Sequence, residues 1–341
     1  MAVTLRDVAA HAGVSARTVS NVVHDYPHVS TTMRAKVQAS LDSLEYKPNL
    51  LARSLRRGRT RIITLLVPDI VVPYFGELAH EVVEQASDLG YTVMIDETGG
   101  VPARERALLE AAAESSWVDG VLMSSIGLSG RGLAGPGSRK PVVLLGERTA
   151  RSTLDHVGID NVAAAEEAVT HLVEGGRTRV AALGGAGSPL DATSRLRLRG
   201  YDRALKAAGL PAEGRHALTE DYRRSSAALA VRDLLDRPDP LDGLFCFSDE
   251  LAAGALRALH DVGVRVPEDV AVVGFDDADA SKYLTPSLTS VLPDRREIAR
   301  ASLDILLKRI EGAPGKPWDV RVPHELVVRE SSAPAEMATP S

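Results

Sequence analysis

The sequence predicts an all-α helix-turn-helix head followed by a hinge helix and a larger α/β body built on parallel sheets. Three observations carry that prediction. Residues 4–45 hold three short amphipathic helical patterns, each opened by a hydroxyl side chain. From residue 61 apolar, strand-like runs alternate with amphipathic helical patterns, as parallel strands with helical crossovers require. Charge divides the chain at the same place: residues 1–60 carry nine Lys and Arg against four acids, net +5, while the remainder is net −11, giving −6 overall. A basic head on an acidic body fits a nucleic-acid-binding module attached to something that does not itself adhere to nucleic acid. At 341 residues the chain is long enough for two or three folding units.

The head is read from "TLRDVAAHAGVSARTVSNVV", residues 4–23. Thr4 and Asp7 have capping-box spacing, and Leu5, Val8, Ala9 and Ala12 share one face, so a first helix spans about 5–12 and ends at Gly13. Ser15 caps a second helix, Ala16 to Val23, whose Val19, Val22 and Val23 form an apolar stripe while Ala16, Arg17, Ser20 and Asn21 project outward. Ser30 caps a third helix over about 31–45. Two helices joined by a Gly-containing turn of this length match the motif whose second helix enters the DNA major groove. Arg17 can donate a bidentate pair to guanine, Asn21 can pair with adenine or hold a phosphate, and Ala16 can offer a methyl contact to thymine. Thr18, Ser20, Ser30, Thr32 and His28 are phosphate-contact candidates, and a capping or solvated role fits each of them as well.

The hinge is "YKPNLLARSLRRGRTR", residues 46–61. Asn49 to Leu55 are helix-compatible, but fewer than two turns are unstable alone, so the segment is expected to fold only when docked. Leu55 can wedge between base steps of the minor groove, with Ala52 as the small neighbour that lets two hinge helices approach. A plain linker is the competing reading.

In the body, strand-like runs fall at 61–69, 91–96, 120–125, 141–147, 179–185, 243–249 and 270–277. Helical patterns fall near 75–90, 103–115, 162–175, 195–209, 225–236, 249–262 and 294–311. The spacer "DNVAAAEEAV" after the fourth run favours two lobes over one wide sheet. Open α/β sheets bind ligands at the carboxyl ends of their strands. Those ends offer Asp69, Asp96, Ser124, Ser125 and Glu147 in the first half, and Asp160, Asn161, Ser248, Asp249 and Asp276 in the second. These small polar and acidic groups suit hydroxyls, Tyr74, Phe75 or Tyr222 can supply aromatic faces, and Arg197 is a candidate charged clamp. The ligand such a cleft implies is sugar-like. Taken singly, Asp249 reads better as a helix cap, Asp276 as a turn residue and Arg197 as a surface ion pair; their shared placement at strand ends is what favours a cleft.

Other classes find little support. No apolar run approaches the roughly 20 residues of a membrane span, and the N-terminus is charged and amphipathic, so a cytoplasmic protein is expected. Cys246, the single cysteine, rules out an internal disulfide and a cysteine-based metal site. "GGAGS", Gly184 to Ser188, follows a strand but lacks the third glycine of a dinucleotide fingerprint and a P-loop lysine. With no nucleophile–base spacing and no metal-ligand cluster, an enzyme, a metal and a cofactor are not expected.

The run from Thr4 to Arg59, including "HVSTTMRAKVQASLDSLEYKPN" and "LARSL", resembles the head and hinge of the lactose-repressor (LacI/GalR) family. The resemblance continues through "PYFGEL", "RLRGYDRAL", "FSDELAAGAL" and "VPEDVAVVGFDDADASKYLTPSLTSV". It implies a periplasmic-binding-protein-like core of two lobes joined by crossings near 160, 290 and 318. It also implies base reading by Ala16, Arg17 and Asn21, a minor-groove wedge at Leu55, and an effector cleft lined by Tyr74, Phe75, Asn161, Arg197, Tyr222, Ser248 and Asp276. Ser248 departs from the Asn common at its position. The expected organisation is a head at 1–46, a hinge segment at 47–60 and a core at 61–330. The N-lobe takes about 61–160 and 291–317, the C-lobe about 162–289 and 319–330, and 331–341 form a flexible tail. The implied partners are double-stranded operator DNA read as a palindrome, a small-molecule effector expected to be a sugar, and a second copy of the chain. A corepressor-dependent regulator answering to another metabolite or a partner protein, and an architectural DNA-binding protein, are the alternatives.

Overall fold

A computed structural model describes residues 3–23, 26–46, 59–126, 128, 140–146, 153–186, 192–211, 216–219 and 221–333. The chain forms two compact units, 1–60 and 61–341.

In the first unit α1 (Leu5–Ala12) opens with a reciprocal capping box between Thr4 and Asp7 and closes on Gly13, whose φ of +60° reaches the left-handed region that a side chain resists. Helix α2 (Ala16–Val23) starts where Ser15 Oγ accepts from the Thr18 N–H at 3.1 Å. Helix α3 (Thr31–Ser43) starts at Ser30, whose hydroxyl accepts from the Met33 N–H. The three bury Val8, Ala9, Ala12, Val19, Val22, Val37 and Leu41 in one small core. The stripes read from the sequence are thus the faces that meet. The hinge candidates Asn49, Ala52 and Leu55 lie outside the described residues.

Among the described residues the second unit holds two six-stranded sheets. The first has the order β11-β5-β4-β3-β1-β2, all parallel. Its strands are β1 (Ile62–Val67), β2 (Thr92–Glu97), β3 (Gly120–Ser124), β4 (Val142–Leu145), β5 (Asp155–Gly158) and β11 (Asp319–Arg321). Strand alternation sends Ile63, Leu65 and Val67 into one core, and Leu66, Val121, Met123 and Leu144 into another with Leu109. Helices α4 (Pro73–Asp88) and α10 (Arg295–Ile310) pack together, while α5 (Pro102–Glu114) carries Leu109 to the second core. Cover on both faces explains why β1, β3 and β4 read as nearly continuous apolar segments, whereas the edge strand β2 stays largely exposed.

The second sheet has the order β12-β10-β9-β8-β6-β7, parallel except for the β10–β12 pair. Its strands are β6 (Val180–Ala186), β7 (His216–Thr219), β8 (Gly243–Cys246), β9 (Ala271–Phe275), β10 (Thr289–Pro293) and β12 (His324–Val327). Its helices are α6 (Asn161–Glu174), α7 (Ala192–Ala207), α8 (Arg224–Leu235) and α9 (Asp249–Asp261). Gly200 lets α7 lie directly on α6: a Cβ there would stand 2.3 Å from Val162 O and 2.7 Å from the Ala165 Cβ. That approach brings Arg197, one turn earlier, up to the start of α6.

Three differences from the sequence reading concern boundaries. β10 pairs with β9 and β12, so residues 291–293 belong to the C-lobe rather than the N-lobe. β11 pairs with β5, which keeps the chain in the N-lobe through Arg321; the last crossing lies between Arg321 and His324, not near 318. The expected flexible tail also begins too early. Ser331 and Ala333 are buried, and Ser331 donates to the Val272 carbonyl and accepts from the Val272 and Thr289 N–H groups, which bind it to β9 and β10. Among the described residues no helix is long and apolar enough to cross a membrane.

Candidate functional site

On the head, Ala16 and Arg17 stand exposed on the first turn of α2, while Ser20 and Asn21 are half-buried one turn further on. Several hydroxyl candidates are engaged in caps. Thr4 donates to Asp7 Oδ2 at 2.7 Å, Ser15 and Thr18 share a hydrogen bond of 2.8 Å, and Ser30 holds the start of α3. The bonds from Thr4 keep the Asp7 carboxyl below its usual range. Thr32 and His28 are exposed, the His28 ring lying edge-on to Tyr26. Of these caps, Ser15, two residues before Arg17, fixes where α2 begins.

In the body, the carboxyl ends of the parallel strands from both lobes enclose a cleft of about 480 Å³. Tyr74 and Phe75 enter it from the first turn of α4, their rings edge-to-face at 5.2 Å. Ser124, Asn161 and Tyr222 line it, as do Ser248 and Asp276. Tyr222 is held by a 2.5 Å hydrogen bond between its hydroxyl and that of Ser194. Ser248 caps α9 by accepting from the Leu251 N–H. Asp69, Ser125 and Phe247, outside the principal candidates, also face the cleft.

Arg197 is the centre of this arrangement. Only 8 % exposed, its guanidinium donates to Asn161 Oδ1 at 2.8 Å through Nε and to the Phe247 carbonyl through Nη1, and its Nη2 lies 3.8 Å from Asp276 Oδ1. The sequence alternative of a surface ion pair is therefore excluded. Burial pushes the Asp276 carboxyl up to about 8; Arg197 pulls it down and Asp249 pushes it further up. At that value a carboxylic acid can donate as well as accept a hydrogen bond near neutral pH.

Two candidates do not belong to the cleft. Asp96 lies exposed on the edge strand β2, where it accepts from the neighbouring Glu97 N–H. Asp249 turns inward beneath β9 and β10 and accepts from the Ala278 N–H, the Ser281 hydroxyl and the Ser290 hydroxyl at 2.6–2.8 Å. It staples the loop after β9 in place. Burial raises this carboxyl to about 6. Glu147 lies outside the described residues. A residue the sequence reading missed is Glu105 of α5, fully buried, whose carboxylate accepts from the Ser125 hydroxyl and the Ile126 and Leu128 N–H groups and so fixes the loop behind β3. In the sequence it reads only as an acid in the first turn of a helix. Among the described residues no group of His, Cys, Asp and Glu is arranged to hold a metal ion.

A basic three-helix head with an outward-facing α2, followed by a two-lobed body with an interlobe cleft, is the architecture that comparison with known proteins recovers. Residues 4–49 match the model of bacterial regulatory proteins of the lacI family, and 169–332 match a periplasmic binding protein-like domain. The HTH-type transcriptional repressor PurR of Photobacterium profundum is 30% identical over 330 residues, covering 96% of this chain and 98% of the relative. The chain belongs to the lacI family. Among solved structures, the lac repressor dimer bound to operator and the anti-inducer ONPF superposes with a TM-score of 0.86 at 26% identity, covering 97% of this chain and 99% of that one. The complex of the transcriptional regulator CelR with cellobiose gives a TM-score of 0.71 at 31% identity, covering 96% and 99%. As a lacI-family protein the chain is a DNA-binding transcriptional repressor with a small-molecule effector, and not an enzyme.

Proposed function

We propose that this lacI-family repressor acts in the cytoplasm as a homodimer on a palindromic operator, and that an uncharged sugar in the interlobe cleft sets its affinity. The cleft carries the proposal: aromatic rings for the apolar faces of a sugar stand beside Ser124, Asn161, Ser248 and Asp276 for its hydroxyls. That the CelR relative was solved in complex with cellobiose supports a sugar as the class of effector. Arg197 organises one wall, holding Asn161 and the end of β8 and facing Asp276.

Regulation then follows from linkage. A ligand shifts an equilibrium between lobe arrangements only as far as it binds one better than the other, and the operator favours whichever arrangement brings two heads to adjacent half-sites. Two-fold symmetry in the protein calls for palindromy in the DNA. Arg17, Asn21 and Ala16 read the major groove, and Leu55, at the hinge, wedges the minor groove beside Ala52. The experiment is an operator-binding titration of Leu55→Ala beside wild type, with calorimetry of cellobiose and ribose on both. Weakened specific binding with unaltered sugar binding supports separate DNA and effector sites. Unchanged operator affinity rejects the wedge.

A further inference from the structure

A second groove, of about 520 Å³, is lined by both lobes and shares no residue with the effector cleft. The corner after β9 separates the two. Asp276 presents its carboxyl group to the cleft, and its backbone carbonyl accepts from Arg295 Nη1 in the adjoining groove. Arg295 Nη2 donates to the Asp277 carbonyl at 3.2 Å and pairs with Glu77 Oε2 at 3.1 Å. The other oxygen of Glu77 accepts from the Asp279 N–H at 2.9 Å. Glu77 lies on α4 and Arg295 opens α10, both N-lobe helices, whereas Asp276, Asp277 and Asp279 belong to the C-lobe. One ion pair of the N-lobe thus grips three backbone groups, the carbonyls of Asp276 and Asp277 and the N–H of Asp279, of one C-lobe corner.

That corner needs holding. Asp276 and Asp277 have φ values of +110° and +45°, a conformation that a residue with a side chain keeps only where its surroundings enforce it. Within the C-lobe, Arg329 pairs with the Asp277 carboxylate, and the Asp277 N–H donates to the Ser290 hydroxyl. Arg295 is the cross-lobe part of the same restraint. Glu77 stands one turn beyond Tyr74 on the helix that brings Tyr74 and Phe75 into the cleft, so the pair ties the aromatic wall to the acidic one.

We propose that Glu77 and Arg295 form an interlobe latch that holds the Asp276–Asp279 corner and thereby positions the Asp276 carboxyl group in the effector cleft. The two are positioning residues rather than effector contacts. The assignment rests on the reading of the cleft as the effector site, but its test needs neither operator nor effector.

The test is hydrogen–deuterium exchange of the full-length protein followed by mass spectrometry, comparing wild type with Glu77→Ala, Arg295→Met, the double variant and Arg295→Lys. The peptide containing residues 276–283 should exchange faster by about tenfold in Glu77→Ala, although that substitution lies in the other lobe, while β1 and β8 keep their protection. Arg295→Met should match it, the double variant should add little, and Arg295→Lys, which keeps a charge for Glu77 but cannot span two carbonyls, should fall between. Exchange within twofold of wild type in both single variants, or a double variant equal to the product of the singles, overturns the latch. Should Arg295→Met fold poorly, Glu77→Gln, which keeps an acceptor for Asp279 while losing the charge for Arg295, must still accelerate exchange around 276–277. Failure to do so also overturns the proposal. Either failure leaves the repressor reading to the operator experiment.

Discussion

The guanidinium of Arg197 stacks on the ring of Phe275, 3.4 Å from its centroid, while its nitrogens reach Asn161 and the Phe247 carbonyl. A planar fork is required for that combination of stacking and two directed bonds, and an ammonium cannot supply it. Arg197→Lys is therefore expected to weaken effector binding by about 30-fold or more, since disrupting a buried hydrogen-bonded charge costs roughly 2–5 kcal/mol. Operator affinity without effector should stay near wild type. Calorimetry with cellobiose and ribose and anisotropy with labelled operator check the two halves of this expectation.

The raised carboxyl of Asp276 makes a stability prediction. In the folded protein it keeps its proton to about pH 8, whereas in the unfolded chain it loses it near its ordinary value of 3.8. Between those limits the native state binds more protons than the unfolded state, so stability falls as pH rises from about 4 to about 8. The Asp249 carboxyl, raised to about 6, contributes in the same direction over the lower part of the range. Asp276→Asn, which remains neutral, should flatten the upper part and raise the melting temperature at pH 8–9. Thermal unfolding of both proteins across pH 5–9 measures this; parallel curves would rule out Asp276 as the source.

Asp249 should behave as a structural residue. Asp249→Ala leaves the Ala278 N–H and the Ser281 and Ser290 hydroxyls without their buried acceptor, a loss of roughly 3–5 kcal/mol. Urea unfolding should show that loss. Asp96→Ala, on an exposed strand edge, should leave both stability and effector binding near wild type.

Much of this was legible in the sequence because it rests on local chemistry. The caps at Thr4, Ser15 and Ser30, the stop at Gly13 and the stripes of α1 and α2 are all short-range features, and each appears in the structure. The seven long apolar runs became strands for the same reason. Strand β5, "DHVG", was missed because its burial depends on partners distant in the chain: the ring nitrogens of His156 lie 2.9 Å from Asp319 Oδ1 and 2.7 Å from the Gly146 carbonyl. β7, β10, β11 and β12 have three to five residues each and carry Ser, Thr, Pro or charge. In the cleft, position at a strand end predicted Ser124, Asn161, Ser248 and Asp276 but not direction. Asp249 is one residue past Ser248 and turns the other way. Glu77 and Arg295 are far apart in sequence and look like ordinary helix charges until the fold brings them to one corner.

Base reading by α2 makes a further prediction. Arg17→Ala should relax discrimination at one base pair per half-site by about 1–3 kcal/mol and leave the other positions unchanged. Competition against single-substitution operators resolves this. A uniform loss across all sequences would make Arg17 a phosphate contact.

The central claim, a ligand-gated reader of a palindrome, is tested most directly by selecting duplexes from a randomised library with the full-length protein at one fixed salt concentration, with and without neutral mono- and disaccharides. The account predicts enrichment of one palindromic sequence whose occupancy a single sugar changes. Salt-sensitive binding with no preferred sequence and no response to any sugar would contradict it.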